Sequence, residues 1–552
     1  MTAPAGTDTS LQSRRAVVGR VLKTLVSPGD VFLWAAILLV GLPLISTVFI
    51  GVFAGGGSTW NHITDTFFWT YLTSSVTVLA GVAALILIIA VPAAWLVTLY
   101  DFPGRALFSW LLILPLAAPG YVIAFAYADL FGVVGPIQTT IRDMTGLAAR
   151  DYWFPDIRSS WGCAFVLAAA LYPYVYLSAR AAFTTQSVCT LEVAQSLGAS
   201  PWQRFTRVAL PGARPAIVAG LALALMEAAA DYGAADFLGV QTLTVGVFRA
   251  WSSFSDPAAG ARLALILVAL ALTLLWVERT RRGEAGYQAS SIRWRALRRT
   301  RLSGWTAYLA TAFCCLIFVW GFAAPILRLA WLAVDARAAT PPLLDPLFNS
   351  FLLAFAGSVA AFFTALAFAL GTRKKHFVSK FAGWIAAGGY ATPGAVLALG
   401  GVYALNVLPF TLTGTAALMV LVLVYVSRFT AAGVGPLESA LERAPASLNA
   451  AARSLGASSL RRIRQVDLPV ILPGAAAAGL ILFVEILKEL PATLMLRPFN
   501  LDTLAVRAYA YASDERLETA ALPSLVIVLC GLLPVIVLSW RLSTGRAGGD
   551  VE

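Results

Sequence analysis

Long runs of apolar residues recur along almost the whole chain, and short polar segments separate them. Each run holds about twenty residues, the length that a helix needs to cross a hydrocarbon layer roughly 30 Å thick. The pattern therefore predicts about twelve membrane-spanning helices. We place six in the first half, at 33–54, 72–100, 105–130, 160–183, 213–236 and 259–277. The other six are expected at 305–333, 349–371, 382–407, 412–434, 470–495 and 519–541.

One polar, basic segment interrupts this pattern twice, at 192–211 and at 450–469. Gly198 in the first copy aligns with Gly456 in the second, an offset of 258 residues that is close to half of the 552-residue chain. Polar and special residues outside the loops keep the same offset, namely Pro215 and Pro473, Glu227 and Glu485, and Arg249 and Arg507. Since chance similarity between apolar runs would not keep polar residues aligned, the chain is predicted to be an internal duplication.

The charge of the loops predicts how the spans are oriented. The connection at 278–304 carries eight arginines and two glutamates, so it should face the cytoplasm. The basic N-terminal tail, both copies of the repeated loop and the C-terminal tail fall on the same side, and both termini are expected to be cytoplasmic. An even number of spans in each half gives the two halves a parallel orientation. The predicted units are a tail at 1–32, a first half at 33–277, a linker at 278–304, a second half at 305–541 and a tail at 542–552.

Composition supports an all-α polytopic membrane protein built from two parallel, duplicated six-helix halves. The chain is 59% hydrophobic and 12% charged, with a mean hydropathy of +0.79, whereas soluble domains are roughly 45–50% apolar and about 25% charged. The net charge of +12 does not indicate nucleic-acid binding, because cytoplasmic loops of membrane proteins accumulate Lys and Arg. The five cysteines form no CxxC pair and the two histidines lie in no ligand-spaced motif, so we expect neither a disulfide framework nor a zinc site.

Each copy of the repeated loop has the sequence of a helix–turn–helix element. An alanine-rich segment stops at Gly198 or Gly456, where a residue without Cβ allows a sharp reversal of the chain. Ser200 and Pro201 then suit the N-cap and the first position of a second helix. We expect this second helix to end at the Leu-Pro pair before the next span. A connection that is merely basic is the alternative, but two copies with a fixed Gly-to-Leu-Pro spacing argue against it.

The first copy, with Glu-x-Ala followed by Gly and then Leu-Pro, resembles the EAA loop of the permease subunits of ABC importers. This resemblance implies a coupling helix that sits in a cleft of a separate ATP-hydrolysing subunit. The implied coupling residues are Glu192, Ala194, Gly198 and Pro211 in the first copy, and Ala452, Gly456 and Pro469 in the second. The second copy departs from the pattern, because Ala450 stands where the first has Glu192. No equivalent acidic contact is therefore carried over to it.

The chain contains no Gly-Lys dipeptide and hence no phosphate-binding P-loop. ATP hydrolysis is then the work of another polypeptide, and this chain is expected to be a transporter subunit, not an enzyme, with no cofactor of its own. By the resemblance, its partners are two copies of an ABC ATPase subunit and one periplasmic or lipid-anchored solute-binding protein. The complex is expected in the bacterial cytoplasmic (inner) membrane, where ATP binding would move the two loops together and rock the halves.

Charged residues inside the predicted spans are costly, so they mark either a pathway or a structural pair. The second half carries Glu485, Lys488 and Glu489 in one apolar run, and the first half carries Glu227 and Asp231 at equivalent positions. The four carboxylates can approach a central path, where hard oxygen donors suit Fe³⁺. These five residues are our candidates for the translocation pathway, and none is assigned as a metal ligand. The alternative is that Glu485 pairs with Lys488 and that these charges only fix the helix bundle.

The segments 488–493 and 497–500, Lys-Glu-Leu-Pro-Ala-Thr and Arg-Pro-Phe-Asn, resemble the fused permeases that import ferric iron. Residues 226–239 fit the same family, so the resemblance covers nearly the whole chain. It implies the fused, two-half permease of a bacterial iron(III) ABC importer. Permeases for thiamine, phosphonates or similar small solutes are alike in sequence, and these cargoes remain open. A secondary transporter driven by an ion gradient is a further alternative, because two parallel six-span halves would also serve it.

Overall fold

The computed structural model describes residues 28–54, 57–185, 193–286, 299–335, 342–372, 377–406, 414–442 and 468–544, together with single positions at 454, 458, 461, 464 and 465. Within these ranges the chain is helical apart from short connections and one pair of two-residue strands. The strands are β1 (Tyr100–Asp101) and β2 (Thr300–Arg301), which pair in parallel. This pairing connects the C-terminal end of the linker to the loop that follows the second span.

The helices of the first half are α1 (Pro28–Phe53), α2 (Ser58–His62), α3 (Phe68–Leu99), α4 (Arg105–Leu111), α5 (Gly120–Phe131), α6 (Pro136–Thr145), α7 (Ser160–Thr185), α8 (Pro201–Gln203), α9 (Leu210–Ala230), α10 (Gly233–Phe237), α11 (Leu243–Ser252) and α12 (Pro257–Gly286). Two π-helical turns join consecutive helices, Ile63–Phe67 between α2 and α3 and Arg204–Ala209 between α8 and α9. A 3-10 turn, Leu114–Ala117, follows α4.

The helices of the second half are α13 (Trp305–Phe318), α14 (Ala324–Asp335), α15 (Leu344–Thr372), α16 (Phe377–Ala391), α17 (Gly394–Asn406), α18 (Gly414–Glu442), α19 (Leu468–Leu487), α20 (Pro491–Leu496), α21 (Leu504–Ser513) and α22 (Leu517–Thr544). A π-helical turn, Val319–Ala323, joins α13 to α14.

The described residues contain 11 helical segments that are long and apolar enough to cross a membrane. The pair α16 and α17, bent by 112°, makes a twelfth when it is taken as one span. The predictions of an all-α polytopic membrane protein and of about twelve spans are confirmed.

The two halves pack as one body. Within the halves, α3 lies against α7 and α15 lies against α18. The first span of each half also reaches the opposite half, since α1 packs against α17 and α14 packs against α5. One continuous buried cluster therefore contains residues of both halves.

The third span of each half is broken, in contrast to the single continuous helix that its apolar run predicts. A single helix was expected at 105–130, but the chain leaves the helical conformation at Ala118 (φ −101°, ψ 122°) and α5 starts only at Gly120. Pro119 lacks an amide hydrogen and forces the residue before it into an extended conformation. The second half repeats this break at Thr392-Pro393, between α16 and α17.

The fifth span of each half is also broken, so the expected helices at 213–236 and 470–495 are wrong at their C-terminal ends. α9 ends at Ala230, and α19 ends at Leu487. A short helix follows each break, α10 in the first half and α20 in the second. The apolar runs hid these breaks, because hydropathy does not distinguish one long helix from two shorter ones at an angle.

Candidate functional site

A cavity of about 110 Å³ lies where the broken spans of the two halves meet. Its wall comes from the start of α5, from α7 and from the break after α9 in the first half. The second half adds part of α18 and the break after α19. The polar or charged residues of the wall are Tyr121, Tyr174, Glu227, Asp231, Tyr232, Arg428, Glu485, Lys488 and Glu489.

Two of the four carboxylates cap the short helices that follow the breaks. Asp231 accepts a hydrogen bond from the backbone N–H of Ala234 at 2.7 Å, in the first turn of α10. Glu489 accepts hydrogen bonds from the backbone N–H groups of Ala492 (2.9 Å) and Thr493 (3.0 Å), in the first turn of α20. Acidic groups stabilise helix N-termini by satisfying free N–H groups and by meeting the positive end of the helix dipole. The duplication thus places an equivalent cap in each half.

Each capping carboxylate also lies against a glycine of the broken third span. A Cβ at Gly120 would lie 2.6 Å from Oδ2 of Asp231, and a Cβ at Gly394 would lie 2.5 Å from Oε1 of Glu489. Both glycines directly follow the proline of their break. The Pro-Gly pairs therefore have two functions, because the proline interrupts the helix and the glycine gives the carboxylate room.

Both cations of the cavity are paired with carboxylates. Lys488 Nζ lies 2.8 Å from Glu485 Oε1, three positions earlier in the chain. Arg428 lies between the halves, with Nη1 at 3.5 Å from Glu489 Oε1 and Nη2 at 3.9 Å from Glu227 Oε2. Glu489 is the most deeply buried of these groups, with 2% of its side chain exposed. A buried carboxylate needs such partners, because burial of an unpaired charge is very costly.

The positive charges come from one half only. The offset of 258 residues relates Arg428 to Ala170 and Lys488 to Ala230, and all four residues line the cavity. The four carboxylates, in contrast, are distributed evenly between the halves. With four carboxylates and two cations, the wall has a formal net charge of −2. The two halves share their fold but differ in the charges that they bring to the cavity.

All five residues predicted for the translocation pathway, Glu227, Asp231, Glu485, Lys488 and Glu489, lie on this cavity. The pairing of Glu485 with Lys488 that was kept as an alternative is also present. Sequence reasoning missed Arg428, although an arginine within the apolar run 415–434 is a signal of the same kind. It also missed Tyr121, for which the sequence gives no signal, because a tyrosine in an apolar span is common.

The first copy of the repeated loop has the predicted turn. Gly198 adopts φ +82°, a left-handed conformation that glycine permits. Ser200 caps the following helix and exchanges hydrogen bonds with Gln203, a capping box. Leu197 and Trp202 are exposed at 81% and 71%. The loop therefore presents an apolar surface together with its basic residues, and Ala194 lies half-buried in the short helical stretch at 193–196.

The predicted end of this helix at the Leu-Pro pair is wrong. The chain stays helical from Pro201 to Ala230, and Pro211 is the second residue of α9. A π-helical turn directly before α9 accommodates a residue that has no amide hydrogen to donate. Pro469 occupies the same position in α19. The other predicted coupling residues, Glu192, Ala452 and Gly456, lie outside the described residues.

The sequence profile of the family described as "Binding-protein-dependent transport system inner membrane component" matches the chain twice, at residues 88–280 and 361–541. The two matches together cover more than half of the chain. Each match contains one copy of the repeated loop and one broken fifth span. The duplication predicted from the 258-residue offset is therefore reflected in the family match.

Three relatives differ in what their names say they transport. The chain is 26% identical over 452 residues to the Fe(3+)-transport system permease protein FbpB 2 of Haemophilus influenzae, which covers 81% of this chain and 84% of that protein. It is 30% identical over 274 residues to the sulfate transport system permease protein CysT of Escherichia coli, covering 48% of this chain and 93% of that protein. The molybdenum transport system permease protein ModB of Escherichia coli is 28% identical over 204 residues, covering 35% of this chain and 86% of that protein.

Proposed function

The chain belongs to the family of binding-protein-dependent transport system inner membrane components, and we propose that it imports ferric iron through the cavity between its halves. The family consists of membrane subunits of transport systems, and this chain is a multi-pass member that carries two matching halves. Its work is transport, with the energy supplied by a partner. The cargo and the coupling are the parts that we propose.

The charge of the cavity is the observation that favours ferric iron. Its wall has a formal net charge of −2, and carboxylate oxygens are hard donors that suit Fe³⁺. An oxyanion such as sulfate would meet net repulsion there. The two cations offer it little, because Lys488 is paired with Glu485 and Arg428 faces Glu489 and Glu227. The relative named for Fe(3+) transport also aligns with both halves of the chain.

The charged lining of the cavity favours an inorganic ion over an organic solute. Six formally charged side chains line it, four carboxylates and two cations, whereas sites for organic solutes are lined mainly by hydrophobic and aromatic side chains with few polar groups.

We propose that the repeated loops couple this path to two copies of a separate ABC ATPase, and that a solute-binding protein delivers the iron. The exposed Leu197 and Trp202 support this, because apolar side chains on a basic loop suit insertion into a cleft of another protein. Pro211 supports it too, since the first loop runs into its span without a break, as one helical stretch from Pro201 to Ala230. Movement of a loop would thus be transmitted to the carboxylates at the far end of that span.

Uptake by cells tests this proposal. A strain without the chain is expected to lose uptake of radiolabelled ferric iron and to keep uptake of radiolabelled sulfate and molybdate. Loss of sulfate or molybdate uptake with normal iron uptake would reject ferric iron as the cargo. A strain that has the chain but lacks the ATPase should also fail to take up iron. Uptake that persists without the ATPase would favour an ion-gradient-driven transporter instead.

A further inference from the structure

Arg428 is buried but only loosely held. Its guanidinium lies 3.5 Å from Glu489 and 3.9 Å from Glu227, whereas charge-assisted hydrogen bonds normally measure about 2.7–2.9 Å. Lys488 and Glu485, at 2.8 Å in the same cavity, reach that normal length. About one tenth of the Arg428 side chain is exposed. The guanidinium therefore balances two carboxylates without being locked to either.

The two carboxylates need a cation between them. Glu227 belongs to the first half and Glu489 to the second, and both face Arg428. Two carboxylates that share a poorly hydrated site repel each other, and an opposite charge relieves this cost. The pseudo-equivalent residue of Arg428 is Ala170, so the first half offers no second arginine at the related position. Arg428 thus puts a positive charge between the two carboxylates, in the position that a small cation would otherwise occupy.

A second observation points to a ligand at the same place. Tyr121 lines the cavity, is 4% exposed, and its hydroxyl has no hydrogen-bond partner within the part of the chain that the structure describes. A buried hydroxyl without a partner is destabilising. This hydroxyl lies within electrostatic range of Glu489 and Asp231. It therefore offers an additional oxygen near Glu489, one of the two carboxylates that Arg428 faces.

We propose that Glu227, Glu489 and the hydroxyl of Tyr121 form a transient site for the cationic cargo, and that Arg428 is the resident cation which the cargo replaces. This inference rests on the proposed function, because it requires a cationic cargo. Replacement keeps a positive charge between the two carboxylates, since the cargo arrives where the guanidinium withdraws. A trivalent ion gains more from two carboxylates than a monovalent ion does. Arg428 thereby becomes a specificity-determining residue, because only a cation that outcompetes it can bind.

Binding of Tb³⁺ to the purified full-length chain tests this directly, because Tb³⁺ is a hard trivalent ion whose luminescence is sensitised by nearby tyrosine. The wild type is expected to bind weakly, since Arg428 competes for the carboxylates. Arg428→Gln should bind at least about tenfold more tightly, because the competing buried cation is gone. Arg428→Met, which fills similar space with an apolar side chain, should give the same gain. Adding Glu227→Gln to either variant should return the affinity to the wild-type value.

Arg328→Gln is the matched control, since Arg328 pairs with Asp129 in another part of the protein. It also removes a partly buried, paired arginine but should give no gain in Tb³⁺ affinity. Size-exclusion chromatography selects the folded protein of each variant before binding is measured. An equal gain in the control, no gain at Arg428, or a gain that survives Glu227→Gln would each overturn the site. If Arg428→Gln gains Tb³⁺ affinity but the wild type does not transport iron, ferric iron is rejected as the cargo and the cation site is retained.

Discussion

Gly394 shows how tightly the cavity wall is built around single residues. A Cβ at this position would lie 2.5 Å from both Arg428 Nη1 and Glu489 Oε1. We expect Gly394→Ala to push both side chains aside and to lower the free energy of unfolding by about 1–3 kcal/mol, the usual cost of overpacking. Thermal unfolding of the purified protein measures the effect, and iron uptake should fall with it.

Gly435 provides the control for that substitution. It lies in α18, the helix that carries Arg428, and a Cβ there would meet nothing within 4 Å. Gly435→Ala should be neutral or slightly stabilising, because alanine is favoured over glycine in a helix by about 0.5–1 kcal/mol. Equal destabilisation by both substitutions would mean that contact with the charged pair is not the cause.

The turn at Gly198 connects the two parts of the first repeated loop. Nothing lies within 4 Å of a Cβ at Gly198, so a substitution there is opposed by the left-handed backbone (φ +82°) and not by a clash. We expect Gly198→Val to cost about 1–2 kcal/mol locally and to reduce the ATP hydrolysis that the binding protein stimulates in the assembled complex. Gly198→Asn should be milder, because asparagine tolerates this conformation. Normal stimulation in the valine variant would argue against a coupling role for this turn.

The spans and the repeated loop could be predicted from the sequence because both depend on local patterns. Twenty apolar residues indicate a span, and Ser200 with Pro201 indicates the start of a helix. The breaks at Asp231 and Glu489 depend instead on tertiary partners, since each carboxylate needs a new helix N-terminus and a facing glycine. The breaks of the third spans did leave a hint in the sequence, because Pro119 and Pro393 lie inside apolar runs.

The pairs that Arg428 makes could not be predicted, unlike that of Glu485 with Lys488, because they join residues that are far apart in the chain. Arg428 meets Glu489 across 61 positions, and it meets Glu227 across the boundary between the halves. The 258-residue offset related the four carboxylates to one another, but it has no counterpart for Arg428, which corresponds to Ala170. The duplication relates residues that both halves contain, but it cannot indicate a residue such as Arg428 that only one half has.

The packing of the first span of each half against the other half predicts that the two halves assemble without a covalent linker. α1 lies on α17 and α14 lies on α5, and the ion pair of Asp129 with Arg328 also joins the halves. Residues 1–290 and 291–552, expressed together as separate chains, should copurify through a tag on either one. This cut keeps β2 with the second half. Recovery of the tagged half alone would show that the linker holds the molecule together.

Transport by the purified complex is the most direct test of the central claim that ferric iron passes the carboxylates between the halves. Membrane vesicles that contain the chain and its ATPase are supplied with the binding protein. They should accumulate radiolabelled ferric iron only when ATP is present. The double variant Glu227→Gln with Glu485→Gln should reduce this uptake at least about tenfold, because it removes a carboxylate of each half from the path. Iron uptake that is unchanged in the double variant, or wild-type vesicles that accumulate sulfate and not iron, would contradict the account.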